Sequence, residues 1–307
     1  MNLWIVVLNW NGREDTLACL QSLSRVDAPE GTRLLVVDNG SSDGSEDAIR
    51  AQWPDVDFLQ TGSNLGFAGG NNAGIERALA GGAGAVLLLN NDTEVAPGFL
   101  RPMLAELQSS ERTGIVGAQI AYHHDPDRLW AFGGGRFDVA TGWVRHIPVP
   151  VEPGDLQDRK SRRFYVTGCT MLLRRELIEE VGVLSTDYFH FCEDVDLCLR
   201  ARAAGWQLAV ARDAHVLHKV SATTRVSSPA FLYYNLRSRL NLVRNFGPAS
   251  APSWRAVAVL WMRLWRPALL SGQGRGGWRA LRLAWRDFQR RETGPAPAEL
   301  RPAESAT

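Results

Sequence analysis

Carboxylates gather at three places along this sequence. In "LLLNNDTEV" (87–95) an apolar run ends in Asn90, Asn91, Asp92 and Glu94. Side chains two apart in an extended segment share one side, so Asp92 and Glu94 can reach one divalent cation. Oxygen ligands suit Mn2+ or Mg2+. The plain alternative is an acidic turn before the helix that Pro97 opens. In "FHFCEDVDLCLR" (189–200), Glu193, Asp194 and Asp196 crowd a helix start behind Tyr188, Phe189 and Phe191. The helix dipole alone favours acids there. Three acids in four positions also repel one another, which raises at least one pKa toward the range of a general base. The aromatic approach lowers local solvation and can stack on a sugar ring. Asp38, in "VVDNGSSDGS", sits where it can accept the N3–H of a uracil or thymine ring, or else close an Asx turn. His215 and His218, in "HVLHKVSATT", could complete the ligands of a cation; a structural histidine is the alternative.

These groups need a scaffold. "LWIVVL" (3–8), "RLLVVD" (33–38), "VDFLQT" (56–61) and "AVLLLN" (85–90) read as strands, each followed by a helical segment. That alternation predicts an α/β fold, a mostly parallel sheet with helices on both faces. Ligands in such sheets bind beyond the carboxyl ends of the strands. The polar clusters fall at those ends: Asn9 to Gly12, Asp38 to Ser45, Gly62 to Asn72 and Asn90 to Glu94. "GSNLGFAGGNNAG" (62–74) permits close backbone approach at a helix start, either to a ligand or to the sheet. It lacks the lysine of a P-loop. "GIVGAQIAY" (114–122), "RFYVTGCTMLL" (163–173) and "QLAVA" (207–211) read as later strands, with hairpins or a mobile loop over about 123–160.

Composition narrows the class. The chain has 307 residues, 45% of them hydrophobic, and a net charge of +1, which gives no bias toward nucleic acid. The charge is unevenly spread: from Lys219 to Arg291 there are thirteen Arg and one Lys against a single acid, Asp287. Five tryptophans (254, 261, 265, 278 and 285) lie in the same region. Arg-rich amphipathic helices bearing Trp and Leu suit peripheral contact with an anionic membrane; a helical cap or a dimer surface is the alternative. The four cysteines show no framework spacing and read as reduced thiols of a cytoplasmic protein. The first residues do not resemble a signal peptide, and no apolar run reaches the roughly 18 residues that span a bilayer.

Taken together, "VVLNWNG", "VVDNGSSDGS", "NLGFAGGNNAGI", "LLLNNDTEV", "YVTGCTMLLRRE", "FHFCEDVDLCLR..AAGW" and "HKVSATT" resemble the family 2 glycosyltransferases, most closely their bacterial rhamnosyltransferase-like branch. The likeness covers residues 3 to about 224. It implies a GT-A fold and an inverting, metal-assisted transfer from a nucleoside diphosphate sugar, TDP-rhamnose being favoured and UDP-sugars also admitted. The implied acceptor is a glycan or polyprenyl-linked glycan at the inner face of the bacterial cell membrane. By the same resemblance Asp38 reads the nucleobase, and Asn9, Asn11, Asn64, Gly66, Gly69, Asn71 and Asn91 line the donor site. Asp92 binds Mn2+ or Mg2+, with Glu94 and His218 as further ligands. Asp194 is the general base, and Gly168, Cys169, Phe191 and Glu193 meet the acceptor. Asn90 stands where stricter members carry the first acid of a DxD motif, and "LST" (184–186) replaces a Phe-Asp-Glu stretch.

The expected organisation is a catalytic domain over 1–225, its nucleotide part about 1–96 and its acceptor part about 97–225. A basic helical region over 226–292 and a disordered tail over 293–307 follow. Two other readings share features of the sequence. A sugar-nucleotide nucleotidyltransferase has the same sheet but needs a Gly-rich basic N-terminal loop, which "LNWNGREDT" does not supply. A non-catalytic membrane-associated relative has no use for both Asp92 and Asp194.

Overall fold

The computed structural model describes residues 1–157, 162–220, 228–247, 252–270, 272 and 274–301. Strands β1 (Leu3–Asn9), β2 (Arg33–Asp38), β3 (Asp57–Gln60) and β4 (Ala85–Asn90) pair in parallel in the order β3-β2-β1-β4. Strand periodicity divides their apolar residues between two cores. Trp4 and Val6, with Leu35, Val37, Val86 and Leu88, meet Ala68, Ile75 and Ala78 of α3 (Gly66–Ala80). Leu3, Ile5 and Val7, with Val36, Leu87 and Leu89, face the opposite core. There they meet residues of α1 (Arg13–Leu23), α2 (Ser45–Gln52) and α4 (Leu100–Gln108). Each buried Leu, Ile or Val contributes about 1.5–3 kcal/mol. A one-residue slip would send each set to the wrong face, so the register is firmly set.

The sheet continues through β11 (Thr170–Arg174), β6 (Thr113–Tyr122), β12 (Gln207–His218) and β5 (Thr93–Val95), with β7 (Asp125–Phe132) also on β6. β12 is parallel to β6, whereas β11, β5 and β7 run antiparallel to their partners. This is the mostly parallel α/β sheet that the alternation predicted. The segment 163–173 is not one strand, however. It divides at Thr167–Cys169 into β10 (Arg162–Val166) and β11, and β10 joins a separate sheet with β8 (Gly134–Asp138) and β9 (Trp143–His146). Glycine allows that approach, because a side chain at Gly134 would run into the Tyr165 carbonyl and one at Gly135 into that of Arg145. The described part of 123–160 is thus hairpins, closed by the short α5 (Pro153–Leu156).

Two helices, α6 (Arg175–Val181) and α7 (Glu193–Ala203), complete the described α/β part. The basic region forms α8 (Pro229–Phe246), α9 (Trp254–Leu270) and α10 (Gly274–Arg290) around their own core. α8 caps the rest: Ser238 Oγ donates to the His190 carbonyl (3.0 Å) and Asn245 to the Tyr188 hydroxyl (3.2 Å). The tail needs correction. Ala296 and Leu300 are buried in the helical core, and the Ala296 N–H donates to the Tyr234 hydroxyl at 2.6 Å. Residues 293–301 are therefore ordered because two apolar side chains dock there; the rest of that tail, like residues 221–225, lies outside the described residues.

A polar chain fixes this bundle. Arg237, fully buried, donates to the Tyr233 hydroxyl at 2.8 Å, which donates to Asp287 Oδ2 at 2.7 Å. Asp287→Ala strands the buried Tyr233 hydroxyl, which costs about 1–3 kcal/mol. Thermal unfolding should register this as a lower Tm; an unchanged Tm would contradict it.

Candidate active site

The first polar cluster is built at the exits of β1, β2 and β4. Asn9 Nδ2 donates to Asp38 Oδ2 (2.7 Å), while Asp38 Oδ1 accepts from the Ser41 N–H (2.8 Å) and the Gln60 amide (2.9 Å). Asn9 Oδ1 accepts from the Thr16 hydroxyl (2.8 Å) and the Asn91 amide (3.2 Å). Asn11, in a left-handed conformation at φ 50°, accepts the Ser42 N–H at 2.8 Å. One network thus ties three strand ends together. Asp38 is completely buried, and three of the about four acceptor sites of its carboxylate are occupied.

The glycine-rich stretch is mainly a packing device. Asn64 Oδ1 caps α3 by accepting the Gly66 N–H at 2.8 Å, and Asn71 donates to the Phe67 carbonyl at 2.9 Å. Gly66 holds φ +77° with the Phe189 carbonyl against its α-carbon, Gly69 lies against Leu65, and Gly70 and Gly74 lie against Leu8 and Val6. Gly66→Ala combines an unfavourable backbone with a carbonyl clash, and overpacking of this kind costs about 1–3 kcal/mol. A melting curve of this variant that matched wild type would contradict the assignment.

Asp92 and His218 meet where β5 joins β12. His218 Nε2 lies 3.1 Å from Asp92 Oδ1, and both residues are buried. Burial opposes a charge on His218, but the Cys169 thiol and Asp92 beside it outweigh that and raise its pKa to about 10. The Trp130 ring stands edge-on to His218 at 4.6 Å, and the buried His218 Nδ1 has no hydrogen-bond partner. Glu94 departs from the expectation of a shared cation. It faces His123 (3.1 Å) and Lys219 (3.5 Å), and Lys219 also reaches Asp15 (3.1 Å). Asp92 precedes β5 whereas Glu94 lies within it, so the two do not continue one extended run. Among the described residues no group of three or more His, Cys, Asp or Glu converges as a metal cage.

The pair fits a cation that displaces the proton on His218, since an imidazole ligates only when neutral. Two adjacent ligands of an octahedral ion at about 2.1 Å each stand about 3.0 Å apart, close to the observed 3.1 Å. Mg2+ in particular is bound by one or two protein groups plus substrate phosphates, not by an all-protein cage.

The second acidic cluster sorts itself by partner. Asp194 Oδ2 accepts from the Gly168 N–H (3.0 Å) and Oδ1 from the Val195 N–H (2.7 Å). Burial raises its pKa, with those donors and the Thr167 hydroxyl pulling back against it. Glu193 is buried, has no partner for Oε2, and is pushed well up by burial and by Asp194. Asp196 is held by Arg200 at 2.6 Å and serves the fold. Phe191 and Cys192, just before α7, hold φ of 66° and 73°. Such geometry costs a bulky residue about 1–3 kcal/mol and is pinned here by α8, whose Phe231 ring lies 5.3 Å from Phe191.

The turn Thr167–Cys169 joins the two acidic sites. The Gly168 N–H holds Asp194, the Cys169 thiol lies beside His218, and the Cys169 carbonyl accepts the Asn90 N–H at 2.9 Å. Sequence reasoning missed Trp130, His123, Thr167 and the role of Lys219. Lys219 and Thr167 had a signal, their places in the quoted "HKVSATT" and "YVTGCTMLLRRE"; Trp130 and His123 depend on strand pairings remote in sequence.

A sheet of this order with an acidic site at its carboxyl edge defines a GT-A scaffold. The solved mannosyltransferase PcManGT from Pyrobaculum calidifontis, in complex with GDP-Man and Mn2+, has a similar fold. It gives a TM-score of 0.58 at 16% identity over 93% of this chain and 75% of that one. S. aureus TarS 1–349 gives 0.55 at 14% identity over 94% and 81%. The model for "Glycosyl transferase family 2" matches residues 4–182. The chain belongs to that family and is a glycosyltransferase. Among curated proteins it is similar to the N-acetylglucosaminyl-diphospho-decaprenol L-rhamnosyltransferase of Mycobacterium tuberculosis. Identity there is 29% over 210 residues, covering 62% of this chain and 67% of the relative. The low-salt glycan biosynthesis hexosyltransferase Agl10 of Haloferax volcanii is 25% identical over 240 residues, 78% of this chain and 74% of the other.

Proposed function

We propose that this chain transfers a sugar, rhamnose by preference, from a TDP- or UDP-sugar to a hydroxyl of a lipid-linked glycan, with inversion at the anomeric carbon. The observation that carries the reading is the Thr167–Cys169 turn, which sets Asp194 and the Asp92–His218 pair on its two sides. Inverting displacement needs those two functions apart: a base for the incoming hydroxyl and a charge sink for the departing diphosphate. The similarity to a rhamnosyltransferase acting on a diphospho-decaprenol acceptor supports the choice of sugar and acceptor.

Asp92 and His218 would hold Mn2+ or Mg2+, which as a Lewis acid neutralises charge on the leaving diphosphate. Asp194 takes the proton of the acceptor hydroxyl, its free lone pairs oriented by the Gly168 and Val195 N–H groups. Phe191 and Glu193 flank it on the acceptor side. The Asn9–Asp38–Asn91 network shapes the donor end. Lys219, balanced between Asp15 and Glu94, keeps a positive charge beside the phosphate region.

Membrane contact is the second part of the proposal. Trp254, Met262, Leu269 and Leu270 on α9 and Trp278 on α10 are exposed apolar groups among arginines. Among the described residues no helix is long and apolar enough to cross a membrane. That pattern supports peripheral contact with the inner face of an anionic membrane.

A thermal-shift screen over UDP-, TDP- and GDP-sugars with and without Mn2+ tests the donor assignment, since a ligand that binds the native state raises Tm by mass action. TDP- and UDP-sugars should stabilise the chain only when Mn2+ is present. Stabilisation that ignores the metal, or a preference for GDP, would overturn the donor part.

A further inference from the structure

The β8–β9 hairpin carries a second cluster of chemistry, away from the acidic sites. Its strands pair Arg136 with Arg145 and Asp138 with Trp143. Alternation puts these four on one face, while Phe137 and Val144 turn to the core. Across from that face, α9 presents Arg255 and Arg263, eight apart and so on one side of the helix. Between them lies a cavity of about 300 Å³ lined by Arg136, Asp138, Trp143, Arg145, Arg255 and Arg263, with Thr141. The lining sets four guanidiniums against one carboxylate.

One further arginine gathers at Trp143: the Arg263 guanidinium lies 4.7 Å from its ring, and that of Arg239, on α8, 4.3 Å. Arg239 Nη1 is buried without a hydrogen-bond partner. Arg145, Arg255 and Arg263 bring three guanidiniums to one cleft, and an anion among them offsets their mutual repulsion. Guanidinium forks match phosphate oxygens in particular. The cluster is also separate from the donor site. His146, the strand neighbour of Arg145, points to the other side and meets Trp130 at 4.0 Å, and Trp130 in turn meets His218. The cleft therefore lies behind the wall of the active site. Trp254 (83% exposed) and Met262 (62% exposed), eight apart on α9, form an exposed apolar stripe one residue step round the helix from Arg255 and Arg263.

We propose that this cleft binds the phosphate or diphosphate group of a lipid, its apolar portion lying against Trp254 and Met262. The group comes either from an anionic headgroup in the bilayer or from the diphosphate of the lipid-linked acceptor. The second source rests on the transferase reading; the cleft's affinity for the anion does not.

The test uses the full chain in EDTA, which silences any metal-dependent binding at Asp92, with inorganic pyrophosphate as the probe in titration calorimetry. Wild type should bind it saturably, and the triple variant Arg145→Gln, Arg255→Gln, Arg263→Gln should bind at least about tenfold more weakly, a difference of about 1.4 kcal/mol. A control triple on α10, Arg275→Gln, Arg279→Gln, Arg282→Gln, should bind as wild type does. Absent binding, or equal loss in both triples, overturns the site. Flotation with vesicles of phosphatidylcholine alone, or of equal parts phosphatidylcholine and phosphatidylglycerol, separates the sources. Loss of phosphatidylglycerol-dependent flotation in the cleft triple identifies a bilayer headgroup; unchanged flotation with lost pyrophosphate binding identifies the acceptor diphosphate. Donor-sugar hydrolysis, measured separately with Mn2+ in place of EDTA, should be the same in all three proteins. Its absence from wild type would count against the transferase reading while leaving the cleft standing.

Discussion

Asp194→Asn is expected to lower kcat for sugar transfer by about 10²- to 10⁴-fold, the usual contribution of a positioned general base. Nucleoside diphosphate binding should be unchanged. The variant is nearly isosteric and its amide oxygen can still accept the Gly168 N–H, so the loss is chemical and not a matter of folding. Single-turnover transfer together with calorimetry of nucleotide binding separates the two quantities. Transfer at the wild-type rate would remove Asp194 from the mechanism. The pH profile carries a second signature. A base works deprotonated, and burial places the folded pKa of Asp194 above the ordinary carboxylate value. Activity should therefore be full at higher pH and fall as pH drops through that raised pKa. The Thr167 hydroxyl lowers the pKa, so Thr167→Val should move the acid limb of kcat/KM to still higher pH.

Asp92→Asn is expected to abolish the Mn2+ dependence of nucleotide binding and to reduce kcat by about 10²- to 10³-fold, the scale of losing one preorganised charge stabiliser. Titration of nucleoside diphosphate binding against Mn2+ reads the effect directly. His218→Gln should act in the same direction, because the two side chains stand 3.1 Å apart on one site. Glu94→Gln should be milder, since Glu94 meets His123 and Lys219 and acts through them. Equal metal dependence in wild type and Asp92→Asn would leave the Asp92–His218 pair as a purely structural contact.

The sheet was legible because short apolar runs alternate with helical segments, the order of a parallel sheet. Which helix covers which face was not, because a run such as Leu3 to Val7 is apolar on both sides. Individual candidate residues were legible where chemistry coincided with the end of an element, as at Asp38 and Asp92 beyond strands and at Asp194 in the first turn of α7. Partnerships were not. Nothing local says that Glu94 will face His123, because that contact needs β5 to pair with the late strand β12, which itself pairs with β6. The break at Thr167–Cys169 was hidden for a related reason: "RFYVTGCTMLL" is β-rich throughout, and only the glycines at 134 and 135 on another strand reveal where its first half goes. The ordered stretch 293–301 was hidden by its Pro, Ala and Glu content, although two apolar residues are enough to dock it.

The Thr167–Cys169 turn has a consequence for how substitutions combine. Residues on separate supports contribute independently, so their free-energy effects add; residues sharing one support do not. Here Asp194 hangs from the Gly168 N–H and His218 borders Cys169, one peptide unit away. A side chain at Gly168 would press on Phe67 at 3.0 Å and touch Asp194 at 3.6 Å. A double-mutant cycle between Asp92 and Asp194 should therefore close with a coupling term in place of a simple sum.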